Sequence, residues 1–147
     1  MIGYMVTWTT YGSWLPGDER GYVKHGKTLA GDSRILKASQ ERQKSAIVKL
    51  DSRQKTYVRR AILDEAERIG QTIEALAVCT NHVHLVARPS RESIEAAVSR
   101  YKNVAMFALR KQNHLGRLWT RGFDKRFCFD ERSLKDRIEY VQRHDRD

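Results

Sequence analysis

The sequence predicts an α+β fold of the ferredoxin-like kind: a four-stranded antiparallel sheet with two helices on one face, plus a C-terminal helix. Three observations predict it. Strand-like and helix-like segments follow one another as β-α-β-β-α-β. The middle two strands are separated by Thr80 and Asn81 alone, which makes them a hairpin. A further amphipathic helix follows the fourth strand.

Each element has its own signal. "YMVTWTTY" (4–11) is β-branched and aromatic and reads as a strand. Residues 12–34 hold five glycines, a proline and many charges, so a long loop is expected, followed by a short helix around 38–48. Long loops inside small domains tend to be functional. Residues 50–70 form a helix, capped by Asp51 or Ser52, with Val58, Ile62 and Ile69 on one face and Gly70 ending it. "QTIEALAVC" (71–79) and "HVHLVAR" (82–88) are the hairpin strands. Residues 90–112 carry Ile94, Val98, Tyr101, Ala105 and Leu109 at helical spacing. Residues 118–130 read as a strand or a bent strand pair with a bulge or turn at Gly122, and 130–147 as a helix with Leu134, Ile138 and Val141 buried.

The chain of 147 residues fits one domain, 1–147, with a long insertion at about 12–50. Lys and Arg number 28 against 18 Asp and Glu, a net charge of +10, which favours a polyanionic partner such as nucleic acid over a membrane surface. No apolar run is long enough to span a bilayer. Cys79 and Cys128 form no CxxC pair and sit in apolar surroundings, so buried free thiols and a cytoplasmic location are expected.

The chemistry concentrates in "TNHVHLVARP" (80–89). Strand alternation puts His82 and His84 on one face and the apolar set Val83, Leu85 and Ala87 on the other, toward the helices. Two histidines are one ligand short of a catalytic metal site, which takes three protein ligands and keeps an open position. His144 is a candidate third ligand. It lies one turn after Tyr140, on a stripe roughly 100° around from the buried stripe of the last helix. A divalent ion on His82, His84 and His144 would therefore have a tyrosine hydroxyl beside it. Such an ion polarises a phosphate, and a positioned tyrosine can then attack it to form a phosphotyrosine. Arg137, one turn before Tyr140, is a candidate phosphate contact. Trp14, Arg20 and Lys24 in the long loop, and Lys102 beside Tyr101, are candidate DNA contacts.

"TWTTYGSWLPGDERGYV", "NHVHLVARP" with its following helix, and "LWTRGFDKRFCFDERSLKDRIEYVQRH" together resemble the single-tyrosine HUH-type transposases, and within them the REP-associated tyrosine transposase branch. The resemblance covers nearly the whole chain. It implies a ferredoxin-like domain that cuts and rejoins single-stranded or hairpin DNA through a 5′-phosphotyrosine, with Tyr140 as nucleophile and His82, His84 and His144 as ligands of magnesium or manganese. His144 departs from the Asn or Gln common in relatives, and an all-imidazole set also suits softer transition ions. The chain also lacks the "NP" that often follows the tyrosine in that branch. The resemblance leaves both monomer and homodimer open, with the last helix serving its own site or a partner's. A domesticated protein that binds DNA hairpins without cutting is the main alternative. A structural metal site fits less well, lacking the usual four ligands. A histidine-triad hydrolase does not fit, since Val86 stands where its third histidine belongs, and no pair of H-x-S/T tetrads points to a two-histidine phosphoesterase.

Overall fold

The structure is a computed structural model, and it describes residues 1–13, 47–114 and 116–145. Most of the predicted long loop and the helix predicted at 38–48 lie outside the described residues, apart from 47 and 48, which are not helical. Numbered within the described residues, the elements are β1 (Gly3–Thr9), α1 (Ser52–Ile69), β2 (Ile73–Val78), β3 (His82–Ala87), α2 (Ile94–Arg110), β4 (Asp124–Cys128) and α3 (Glu131–His144).

The sheet order is β2-β3-β1-β4, with every neighbouring pair antiparallel. This is the expected ferredoxin-like arrangement. Helix α1 starts at a capping box, in which the Asp51 side chain accepts from the Gln54 amide and the Gln54 side chain accepts from the Asp51 amide. It stops at Gly70, whose φ of 71° suits a residue without a Cβ. Helix α3 begins at Asp130, which accepts from the Ser133 amide.

Alternation along the strands divides the core in two. Tyr4, Val6 and Trp8 of β1, with Val83, Leu85 and Ala87 of β3, face α1 and α2. Met5, Ala75, Ala77, Val86 and Cys128 face the other way, where Leu134 and Val141 of α3 cover them. Both cysteines are buried, and neither is in a disulfide. Helix α3 lies mainly against β2 and β3, so the second sheet face is only partly open.

Two strands are shorter than their sequence signals. β1 ends at Thr9, after which Thr10 makes a single bridge to Trp119 and Gly12 turns with φ of 86°. The segment before β4 is bent away from it at Gly122. The Lys102 ammonium donates to the carbonyls of Thr120 (3.0 Å) and Gly122 (2.7 Å), and Gly122 takes φ of 87°. Residues 118–120 still pair with the end of β1, where Thr120 donates its amide to the Thr9 carbonyl (3.0 Å) and Tyr11 donates to Leu118 (2.8 Å), before the chain turns at Gly122 into β4.

Candidate active site

The hairpin between β2 and β3 fixes the first histidine. Cys79 donates its amide to the His82 carbonyl at 2.8 Å, closing the two-residue turn. The turn carbonyls are pinned from outside: Leu50 donates to Thr80 (2.7 Å) and Thr10 to Asn81 (2.9 Å). Strand register then lines up Ala77, His84, Thr7 and Asp124 across the four strands, on the face that α3 covers.

Helix α3 brings Tyr140 and His144 down onto that row. The ring centres of His84 and His144 are 5.0 Å apart, and those of His82 and His84 are 4.7 Å apart. The Tyr140 ring lies 4.3 Å from His144 and 5.5 Å from His84. The four residues singled out in the sequence thus form one cluster. His84 sits deepest, 3% exposed, and is not on an open surface as the sequence suggested, because α3 lies over it.

Each imidazole is held through Nδ1. His82 Nδ1 lies 2.8 Å from Asn81 Oδ1 and His144 Nδ1 lies 2.9 Å from the Tyr140 carbonyl, so both nitrogens donate to those oxygens. His84 Nδ1 is 2.8 Å from Thr7 Oγ1. Contacts of this kind fix the tautomer of metal-binding histidines and leave Nε2 as the ligand atom. Burial, then the neighbouring His82 and His144, lower the His84 pKa to about 4, so His84 is neutral at pH 7, the form that binds metals.

Among the described residues, no group of three or more His, Cys, Asp or Glu side chains stands ready to hold a metal ion. The reason lies in one distance. Imidazoles sharing an ion through bonds of ~2.1 Å at tetrahedral angles have ring centres about 5 Å apart. Two of the three pairs meet this, but His82 and His144 are 6.5 Å apart. Three imidazoles are nonetheless a donor set of the kind that divalent transition ions take, with His82 and His144 the pair farthest apart.

The other tyrosines differ in kind. Tyr4 and Tyr101 are buried among α1, α2 and the sheet, hydrogen-bonded to Gln71, and burial raises both pKa values. Of the candidate DNA contacts, Trp14, Arg20 and Lys24 lie outside the described residues. Lys102 is on α2, in the layer away from the cluster, with its ammonium on two carbonyls. Arg137 is half-buried on α3, and its charge reaches the Cys128 thiol. Thr7 and Asn81 touch the histidines of the cluster, and the sequence reading did not assign them. Asn81 is adjacent to His82 and was legible as a candidate; Thr7 required the β1–β3 register.

No protein-family model matches the sequence, and no curated protein matches it. Among solved structures, the chain is similar to a REP-associated tyrosine transposase bound to a REP hairpin, with a TM-score of 0.57 and 14% identity. The two chains share a fold. The likeness covers 95% of this chain and 64% of that one, so the chain spans under two thirds of the transposase it matches. A candidate transposase of Deinococcus radiodurans R1 is also similar, with a TM-score of 0.47 and 18% identity over 97% of this chain and 90% of that one.

Proposed function

We propose that the chain cuts and rejoins single-stranded, hairpin-associated DNA, with Tyr140 as nucleophile. The observation that carries this reading is the meeting of the Tyr140 ring with His84 and His144 on a transposase fold. Nε2 of His82, His84 and His144 would hold the divalent ion. When bound, the ion supplies Lewis-acid polarisation of a non-bridging phosphate oxygen.

The chain's own residues do the rest. Tyr140 Oη attacks phosphorus and forms a Tyr–O–P bond while the bond from phosphorus to the 3′ oxygen breaks. The phenol proton leaves to solvent and the 3′ oxygen takes one up, so the products are a 5′-phosphotyrosine and a 3′-hydroxyl. A second strand's 3′-hydroxyl reverses the step and restores Tyr140. Helix α3 carries the nucleophile and one ligand together, so a phosphate at the cluster is already in reach. Such positioning supplies a large part of a rate enhancement.

The reading is tested with a labelled hairpin oligonucleotide, manganese and a denaturing gel. Wild type should give a protein–DNA band that resists denaturation, and Tyr140→Phe should bind the hairpin yet give none. Tight binding without that band, with every divalent metal tried, replaces the enzyme by a hairpin-binding protein.

A further inference from the structure

We propose that Arg59 is a positioning residue for the nucleophile helix, strapping the end of α3 that carries Tyr140 and His144 to the edge of the sheet. This rests on the reading of Tyr140 as nucleophile.

Arg59 belongs to α1, in the layer opposite α3. Its guanidinium reaches both neighbours. Nη1 donates to the Leu76 carbonyl of β2 at 2.8 Å and to Asp145 Oδ1 at 3.0 Å. β2 is an edge strand, and the arginine joins α1, that edge and the end of α3 at one atom.

The place of Asp145 explains what the contact does. Asp145 is the C-cap of α3, next to His144 and five residues past Tyr140. A carboxylate at a helix C-terminus meets the negative end of the helix dipole and is unfavourable without a cation. Arg59 supplies that cation. The last apolar anchor of α3 is Val141; Gln142 and Arg143 beyond it are exposed. The final turn, with the third histidine on it, is then seated by the weak Cys79 thiol contact to the His144 carbonyl (3.6 Å) and by the strap, the stronger, charge-assisted of the two.

The other end of α3 gives a built-in comparison. Arg88 donates to Glu74 (3.1 Å) and to Glu131 (3.3 Å), tying the first turn to β2. Glu131 lies nine residues before Tyr140, about 13 Å along the helix. Both straps are solvent-accessible, Arg59 and Asp145 being 42% and 39% exposed, so neither adds much to global stability. Loosening the last turn moves reacting groups; loosening the first does not. Displacements near 1 Å at a reacting centre cost rate steeply.

The experiment compares Arg59→Gln, Arg88→Gln and the swap Arg59→Asp/Asp145→Arg with wild type. Three quantities are measured: single-turnover adduct formation at saturating hairpin with manganese, hairpin affinity, and amide exchange in α3 without DNA. Arg59→Gln should form adduct about fivefold more slowly, with affinity within about twofold and faster exchange at 141–144. Arg88→Gln should keep its rate within about twofold, and the swap, which restores the ion pair but not the bond to the Leu76 carbonyl, should recover part of the loss. The proposal is overturned if Arg59→Gln keeps the wild-type rate and exchange, if Arg88→Gln slows the adduct equally, or if the swap recovers nothing. A wild-type protein that forms no adduct overturns the transposase reading instead; exchange and its recovery in the swap then decide the strap alone.

Discussion

The Thr7 hydroxyl stands 2.8 Å from Nδ1 of His84, joining the central strand β1 to the deepest imidazole of the cluster. With Nε2 on a metal, Nδ1 carries the proton and Thr7 accepts it. Losing such a contact costs roughly tenfold or more in metal affinity. Thr7→Val keeps the shape and removes the acceptor, so manganese affinity by calorimetry should fall about tenfold, while Thr7→Ser should stay near wild type. His82→Ala/His84→Ala should abolish binding. Unchanged affinity in Thr7→Val would mean that the hydroxyl does not orient the ring.

His84 also makes the metal-free fold sensitive to acid. Its folded pKa of about 4 lies below the ordinary 6.5. Between these values the unfolded chain binds more protons, so stability rises with pH and is lost as pH falls from 6.5 toward 4. The full shift corresponds to ~3 kcal/mol. Urea unfolding between pH 5 and 7 tests this in a window where most carboxylates stay charged. His84→Asn should flatten the curve; a wild-type curve equally flat would show that His84 titrates normally.

Gly3 lets α3 come down onto the sheet. A Cβ there would lie 2.8 Å from Leu134 Cδ1 and 3.1 Å from the Ala87 carbonyl. Leu134 can yield, but the carbonyl is fixed by β3. Gly3→Ala should destabilise by ~1–3 kcal/mol in urea, the range for overpacking. In the Leu134→Ala background the added cost of Gly3→Ala should shrink without vanishing. Full additivity of the two changes would mean that they do not share this contact.

The face and spacing of the cluster were legible because they are local. Strand alternation placed His82 and His84 together, and one helical turn joined Tyr140 to His144; the structure adds that these two local pairs meet. What the sequence did not offer was contact across distance. Thr7 and His84 are 77 residues apart, and Arg59 and Asp145 are 86 apart. Neither pairing leaves a periodic trace. The segment expected over 118–130 is bent at Gly122 into a bridge at Trp119 and the strand β4, and Lys102, on a separate helix, holds that bend through the carbonyls of Thr120 and Gly122. Burial of His84 was missed because the stripe on α3 predicts which side packs, not which strands it covers.

Thr10 and Leu50 are held to the histidine turn, Thr10 donating to Asn81 (2.9 Å) and Leu50 to Thr80 (2.7 Å). Arg20, Lys24 and Trp14, the DNA contacts expected from the sequence, belong to the residues outside the described ones. Charge and ring should then separate experimentally. With a net charge of +10, affinity for a hairpin with a single-stranded flank should fall steeply with salt. Each lost contact to a single-stranded phosphate lowers the log–log slope by about 0.7, so Arg20→Ala/Lys24→Ala should lower it by roughly 1.4. Trp14→Ala should weaken binding by ~1–3 kcal/mol, the cost of one lost base stack, and leave the slope unchanged, since stacking releases no counterions. Fluorescence anisotropy over a salt series reads both quantities. A wild-type affinity that stays flat across the series would mean that phosphate charge does not drive binding, and the basic surface would need a different partner.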